Sequence, residues 1–263
     1  MDVDSHIQLP RFILNYFKRP NGQVCYLSLN DFRLHSCGPK KLGTQKGYFS
    51  KEMEQYLSRQ IEHPFSKLVA EVTAFVEEEK ESITLPADVE NVCKRYVSAA
   101  AYRSEKAYSN FIEGSLTAGL FDAQTNHDDL VLFSTQHNGG IFPGLEKARM
   151  MVLVNRTERL FVVPRNCFYI ISSNSMPCII APVSPKCAFG LVPESFPAED
   201  GFHLWFVDDP DDVWHMNKQA LCMEFAFNHE FVVSTDKSEL EQLKAYAEAN
   251  IAMLESLRTA SSE

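Results

Sequence analysis

Met150-Met151-Val152-Leu153-Val154 opens a series of short apolar runs that decides the fold of this chain. Leu160-Phe161-Val162-Val163, Phe168-Tyr169-Ile170-Ile171, Cys178-Ile179-Ile180-Ala181 and Ala188-Phe189-Gly190-Leu191-Val192 follow it. The runs are four or five residues long, rich in β-branched and aromatic side chains, and separated by Pro, Asn or Ser. That pattern reads as strands of one sheet, although Leu145 to Val154 is also compatible with a helix.

Upstream the period changes from strand-like to helical. Ser50 suits a helix N-cap, with Glu52 and Glu54 in the first turn. Met53, Tyr56, Leu57, Ile61, Phe65, Leu68, Val69, Val72 and Val76 then form one apolar stripe. Pro64 lies inside it, which predicts a kink or a division. Pro86 opens a second helical pattern through Val89, Val92, Cys93, Tyr96, Val97 and Ala100, continuing toward Tyr108, Phe111, Ile112 and Leu116. Further upstream, Val24 to Leu29 reads as a strand after the turn Pro20-Asn21-Gly22.

Downstream, Asp208-Asp209-Pro210-Asp211-Asp212 precedes a short helix from Val213 to about Cys222, and Phe225 to Val233 returns to the sheet pattern. Asp236-Lys237-Ser238-Glu239 resembles a capping box for a last helix carrying Leu240, Leu243, Tyr246, Ala247, Ile251 and Leu254. The predicted class is α+β: a mostly antiparallel sheet, a central helical block and a C-terminal helix. The helices are expected on one end or face of the sheet. Residues 1–263 read as one domain, with an N-terminal arm and strands over 1–50, a helical block over 51–125, a sheet region over 126–235 and the last helix over 236–258.

Composition limits the function classes. Of 263 residues, 45% are hydrophobic and 23% charged, which excludes wholesale disorder. With 25 Lys and Arg against 35 Asp and Glu, the net charge is −10. Such a chain repels phosphate backbones at long range and argues against a general nucleic-acid coat, though a local basic groove remains open to small anionic ligands or RNA. The seven cysteines include no C-x-x-C pair, so a zinc site is not expected and reduced thiols in the cytoplasm are. No apolar run reaches the ~18 residues that a membrane span needs.

His6-Ile7-Gln8-Leu9-Pro10-Arg11-Phe12-Ile13-Leu14-Asn15-Tyr16-Phe17 resembles the opening of the bacterial family named domain of unknown function 4238. Members place a His, a Pro, an aromatic residue, Leu and Phe at this spacing. Val24 to Leu29 resembles the family's first strand, Gly47-Tyr48-Phe49-Ser50 its glycine-aromatic element, and Ile61-Glu62 the pair inside its first helix. Arg103 falls where the family carries an arginine late in the central helix, and Asn217 resembles an asparagine in its late helix. Phe168 to Pro177 resembles a strand followed by a Ser-Asp-Asn-Pro turn, with Ser173 in place of the Asp and Pro177 displaced. If that Asp has a chemical role, the resemblance implies that this chain has lost it. The likeness spans almost the whole chain and brings no established activity.

The candidate site residues are His6, Arg103, Ser173 and Asn174. His6 offers an acid or base near neutral pH, or an anchor for the N-terminal arm. Arg103 offers a planar fork for phosphate or carboxylate, or an ion pair with Glu62, Glu105 or another helix acid. Ser172, Ser173 and Asn174 follow a buried strand, where a loop can hold a nucleophile or oxyanion donors, or simply turn. Converging, these groups suggest metal-independent hydrolysis of a phosphodiester in RNA or a nucleotide. The alternative is a non-catalytic binding or regulatory module with a small ligand or protein partner. His203, Asp208, Asp209, Asp211, Asp212 and His215 match no metal spacing and suit helix capping. Lys40, Lys41 and Lys46 form a small basic loop, either solvated or in contact with phosphate. No cofactor motif is present, and no residue pattern fixes the oligomeric state.

Overall fold

A computed structural model describes residues 4–6, 9–46, 48–78, 83, 85, 87–103, 127–136, 147–173, 176–196, 203–227 and 230–260. The fold is α+β. A five-stranded sheet takes the order β10-β5-β9-β8-β7, from β5 (Arg149–Asn155), β7 (Tyr169–Ser173), β8 (Met176–Ser184), β9 (Cys187–Val192) and β10 (His203–Val207). A four-stranded sheet takes the order β3-β2-β11-β6, from β2 (Val24–Ser28), β3 (Leu34–Cys37), β6 (Val163–Pro164) and β11 (Phe231–Ser234). The short strands β1 (Asp4–His6) and β4 (Thr44–Lys46) form an antiparallel pair. Among the described strand pairs only β5 and β10 run parallel.

The apolar runs form strands because both faces of the larger sheet are covered. Val152, Ile179, Phe189 and Leu191 face the N-terminal helices, whereas Leu153, Cys178, Ile180 and Ala188 face the C-terminal ones. A strand buried on both faces loses its polar alternation and reads as a continuous apolar run. Helices therefore cover both faces, not one end or face as the sequence suggested. Arg149–Asn155 is a strand, which resolves the ambiguity at Leu145 to Val154.

Helix α1 (Arg11–Tyr16) seats Ile13 and Leu14 in the core. Ser50 caps α2 (Lys51–Tyr56) by accepting from the Met53 N–H at 3.1 Å. A π-helical turn, Leu57–Glu62, joins α2 to α3 (His63–Glu77). The interruption expected from Pro64 takes this form. A proline ring crowds the carbonyl four residues back and supplies no N–H, and a wider turn before it relieves both. Helix α4 (Val89–Tyr102) packs on this block, with the Tyr96 ring stacked on Phe65 at 3.7 Å and 9°. The continuation expected through Tyr108 to Leu116 lies outside the described residues. Helix α5 (His127–Gln136) lies against α4.

After β10, helix α6 runs from Pro210 to Ala226, longer than the expected Val213 to Cys222. It consumes Phe225, so the strand there is confined to β11. Asp209 caps it, accepting from the Asp211 N–H at 2.9 Å. Helices α7 (Lys237–Ala249) and α8 (Ile251–Ala260) close the chain, with Asp236 capping α7 through the Ser238 N–H. No helix among the described residues is long and apolar enough to cross a membrane.

Candidate functional site

Arg103 is the C-cap of α4, where its backbone N–H reaches the Ala99 carbonyl. Its own carbonyl accepts from the Tyr48 hydroxyl at 2.7 Å, which ties the helix end to the glycine-aromatic segment. Its side chain is almost wholly buried, and one Nη donates to the Glu62 carboxylate at 2.8 Å. Of the two sequence readings of Arg103, the ion pair with Glu62 is therefore present. Glu62 sits at the end of the π turn. Burial opposes the guanidinium charge, but Glu62 and Tyr96 outweigh it, so Arg103 titrates above its ordinary range.

The pair floors an open cleft of about 370 Å³. Pro10, Arg11 and Asn15 border it from α1, and Glu54 from α2. Arg11 and Asn15 are exposed, Glu62 is partly exposed, and the buried Nε of Arg103 has no hydrogen-bond partner among the described residues. Phe12 backs the cleft, edge-on to Phe65 at 6.1 Å and to Tyr96 at 6.3 Å. Behind the ion pair lie groups that burial keeps neutral. The Tyr96 hydroxyl is held well above its ordinary range by burial and then by the Cys167 thiol. Burial likewise pushes Cys167 up to about 12. Neither is a ready nucleophile at neutral pH.

The other candidates are located by their backbone. His6 ends β1 opposite Thr44, four residues before Pro10 at the cleft. Ser173 ends β7 opposite Met176. The side chains of His6 and Ser173, and all of Asn174, lie outside the described residues. The departure from the Ser-Asp-Asn-Pro pattern thus falls on Ser173 at the end of β7 and on Pro177 in β8. The acids before α6 serve its N-terminus, and among the described residues no three His, Cys, Asp or Glu side chains converge as metal ligands would.

Sequence reasoning gave Asn15 and Glu54 no part in a site, because a single polar residue on a helix carries no signal of its own. It also gave Asn217 no physical role. This side chain is fully buried in α6, donates to the Leu160 carbonyl at 2.8 Å and to Glu239 at 2.9 Å, and accepts from the Val162 N–H at 3.0 Å. Arg159 completes that network with two 3.0 Å bonds to Glu239. The network is structural: it fixes the segment before β6 against α6 and α7.

No curated protein and no solved structure matches the chain. A family model described as "Protein of unknown function (DUF4238)" matches residues 8–238 of the 263. That interval takes in α1, the Arg103–Glu62 pair, every described strand after β1 and Asn217 itself, and the chain belongs to the DUF4238 family.

Proposed function

We propose that the Arg103 cleft is the binding site of a non-catalytic module for a small ligand. The ligand would carry both an anionic group and a hydrogen-bond donor such as an ammonium. One observation carries the reading: a buried arginine whose Nε has no partner among the described residues lines an open cleft. Buried donors are nearly always satisfied, so an orphan of this kind at a cleft calls for an account. Two guanidinium groups, of Arg11 and Arg103, and two carboxylates, of Glu54 and Glu62, border the same space. That balance suits a ligand with both charges better than a polyanion. It also accords with the net charge of −10.

The test is calorimetric titration of the intact chain with phosphoethanolamine and with inorganic phosphate. Phosphoethanolamine should bind saturably and more tightly, because the carboxylates take its ammonium. Arg11→Ala and Asn15→Ala, both at exposed positions, should weaken it. Absence of saturable binding, or binding indifferent to both substitutions, would overturn the reading.

A second reading keeps metal-independent phosphodiester hydrolysis, of RNA or a nucleotide, with His6 as the proton-transfer group and Arg103 holding the phosphate. It is favoured only by the short chain separation of His6 from Pro10, four residues, at the border of the cleft. Turnover of a small diester that His6→Ala abolishes would support it over the binding module. Turnover unaffected by His6→Ala would remove it.

A further inference from the structure

The basic loop singled out in the sequence leads to a second cleft, of about 420 Å³, which shares no lining residue with the first. It lies on the face of the four-stranded sheet that carries Tyr26, Ser28 and Phe231, beside Lys41 and Thr44. Tyr26 and His35 are register partners across β2 and β3, and their rings stack at 5.3 Å and 26°. The two stacked rings, with the Phe231 ring 5.6 Å from Tyr26 at 60°, border the cleft. Arg165 enters from the segment after β6. One Nη lies 3.3 Å from Glu230, its guanidinium lies 5.9 Å from the Phe231 ring centre, and its buried Nε has no hydrogen-bond partner among the described residues.

The loop that brings Lys41 is ordered by its own bonds. Gly43 takes a φ of +67°, which favours glycine, and the Thr44 hydroxyl donates to the Lys40 and Lys41 carbonyls at 3.3 and 3.2 Å. Lys41 thereby lines the same cleft as the stacked pair.

Charge separates this cleft from the first. Among the described lining residues the acid is Glu230, and it is paired with Arg165, so Lys41 leaves the lining net positive, with Asp31 outside it at 3.6 Å from the His35 ring. A lysine supplies a point charge and an arginine a planar fork, the two usual partners of a phosphate. A flat ring stacks on Tyr and His faces with little regard to its identity. The volume lies within the range of small-molecule sites.

We propose that this cleft binds a phosphate monoester carrying a flat ring, chemically a mononucleotide. The phosphate lies between Lys41 and Arg165, and the ring lies against the Tyr26–His35 pair. The β1 register sets His6 opposite Thr44, so residue 6 lies in the strand that flanks this cleft.

The test is titration of the full chain with AMP, ribose 5-phosphate and adenosine. AMP should bind saturably, with adenosine about tenfold weaker for want of the phosphate. Lys41→Glu should weaken AMP by about tenfold, and His35→Ala should abolish the preference for AMP over ribose 5-phosphate. Both positions are exposed, so neither substitution disturbs the core. Arg11→Ala, in the other cleft, should leave AMP binding unchanged. No saturable binding of AMP, adenosine binding as tightly as AMP, or loss of AMP binding through Arg11 rather than Lys41 would each overturn the proposal.

Discussion

Arg103 and Glu62 form a 2.8 Å ion pair in which the arginine side chain is 2% exposed and the glutamate 27%. The asymmetry governs what each substitution does. Glu62→Gln keeps a hydrogen-bond acceptor but leaves a buried charge without its counter-ion, and breaking such a pair from one side costs about 3–5 kcal/mol. Arg103→Met removes the buried charge, fills similar volume, and leaves a carboxylate that can reach water. It should cost clearly less. Urea unfolding of the two single variants checks the order, and equal losses would mean that the pair is not what holds this region.

Asn217 makes three bonds from a fully buried position, and two of them satisfy backbone groups of Leu160 and Val162. Asn217→Ala leaves the Val162 N–H and the Leu160 carbonyl without this partner. At about 1–3 kcal/mol for each buried group left unsatisfied, the loss should reach several kcal/mol. Asn217→Asp keeps the acceptor for Val162, loses the donor to Leu160 and sets a charge beside Glu239. It should fare no better than Ala, as thermal unfolding would show.

These two side chains mark how far the sequence is legible. The strands from β5 to β9 are readable because a sheet covered on both faces writes a long apolar run. The long helix before them is readable from its stripe and from Ser50. The chain gives no local sign that the C-terminal helices cover the second face, since coverage depends on long-range pairing. Phe225 looks like strand because it is aromatic and follows apolar residues, yet it is the last buried turn of α6. The Arg103–Glu62 pair could be offered as one alternative from residue types, but its cleft could not. Arg11, Asn15 and Glu54 meet at one cleft only when the folded chain brings α1 and α2 to its border. Lys41 and Arg165 lie more than 120 residues apart and meet only when β11 pairs with both β2 and β6.

Gly190 is required by its neighbour across the sheet. It is registered with Met151, and a Cβ at residue 190 would lie 2.6 Å from the Met151 Cγ and 3.0 Å from a Leu153 methyl. Gly190→Ala should therefore cost about 1–3 kcal/mol, as overpacking of a buried site does. Adding Met151→Ala makes room for the new methyl, so the double variant should be more stable than the sum of the two single losses predicts. A double-mutant cycle by urea unfolding measures that coupling, and strict additivity would show that Met151 is not what excludes a side chain at 190.

Alkali should unfold this protein through its buried thiols and phenols. Burial raises Cys167 to about 12, and also raises Cys93, Cys187, Tyr96 and Tyr169 above their ordinary values. The sign follows from linkage. Below the ordinary thiol value of 9 both states hold the proton and these groups add no pH dependence. Above it the unfolded thiol ionises while the folded one cannot, so protons leave on unfolding and stability falls as pH rises. For Cys167 the fall spans pH 9 to about 12, with a limiting slope of about 1.4 kcal/mol per pH unit. Cys167→Ala removes that contribution. Its unfolding midpoint should lie below wild type at pH 8, because a packed side chain is lost, and the gap should narrow as the pH approaches 11. Urea titrations at four pH values would show the convergence. Parallel curves would mean that the folded thiol ionises as readily as the unfolded one, and that Cys167 is open to solvent.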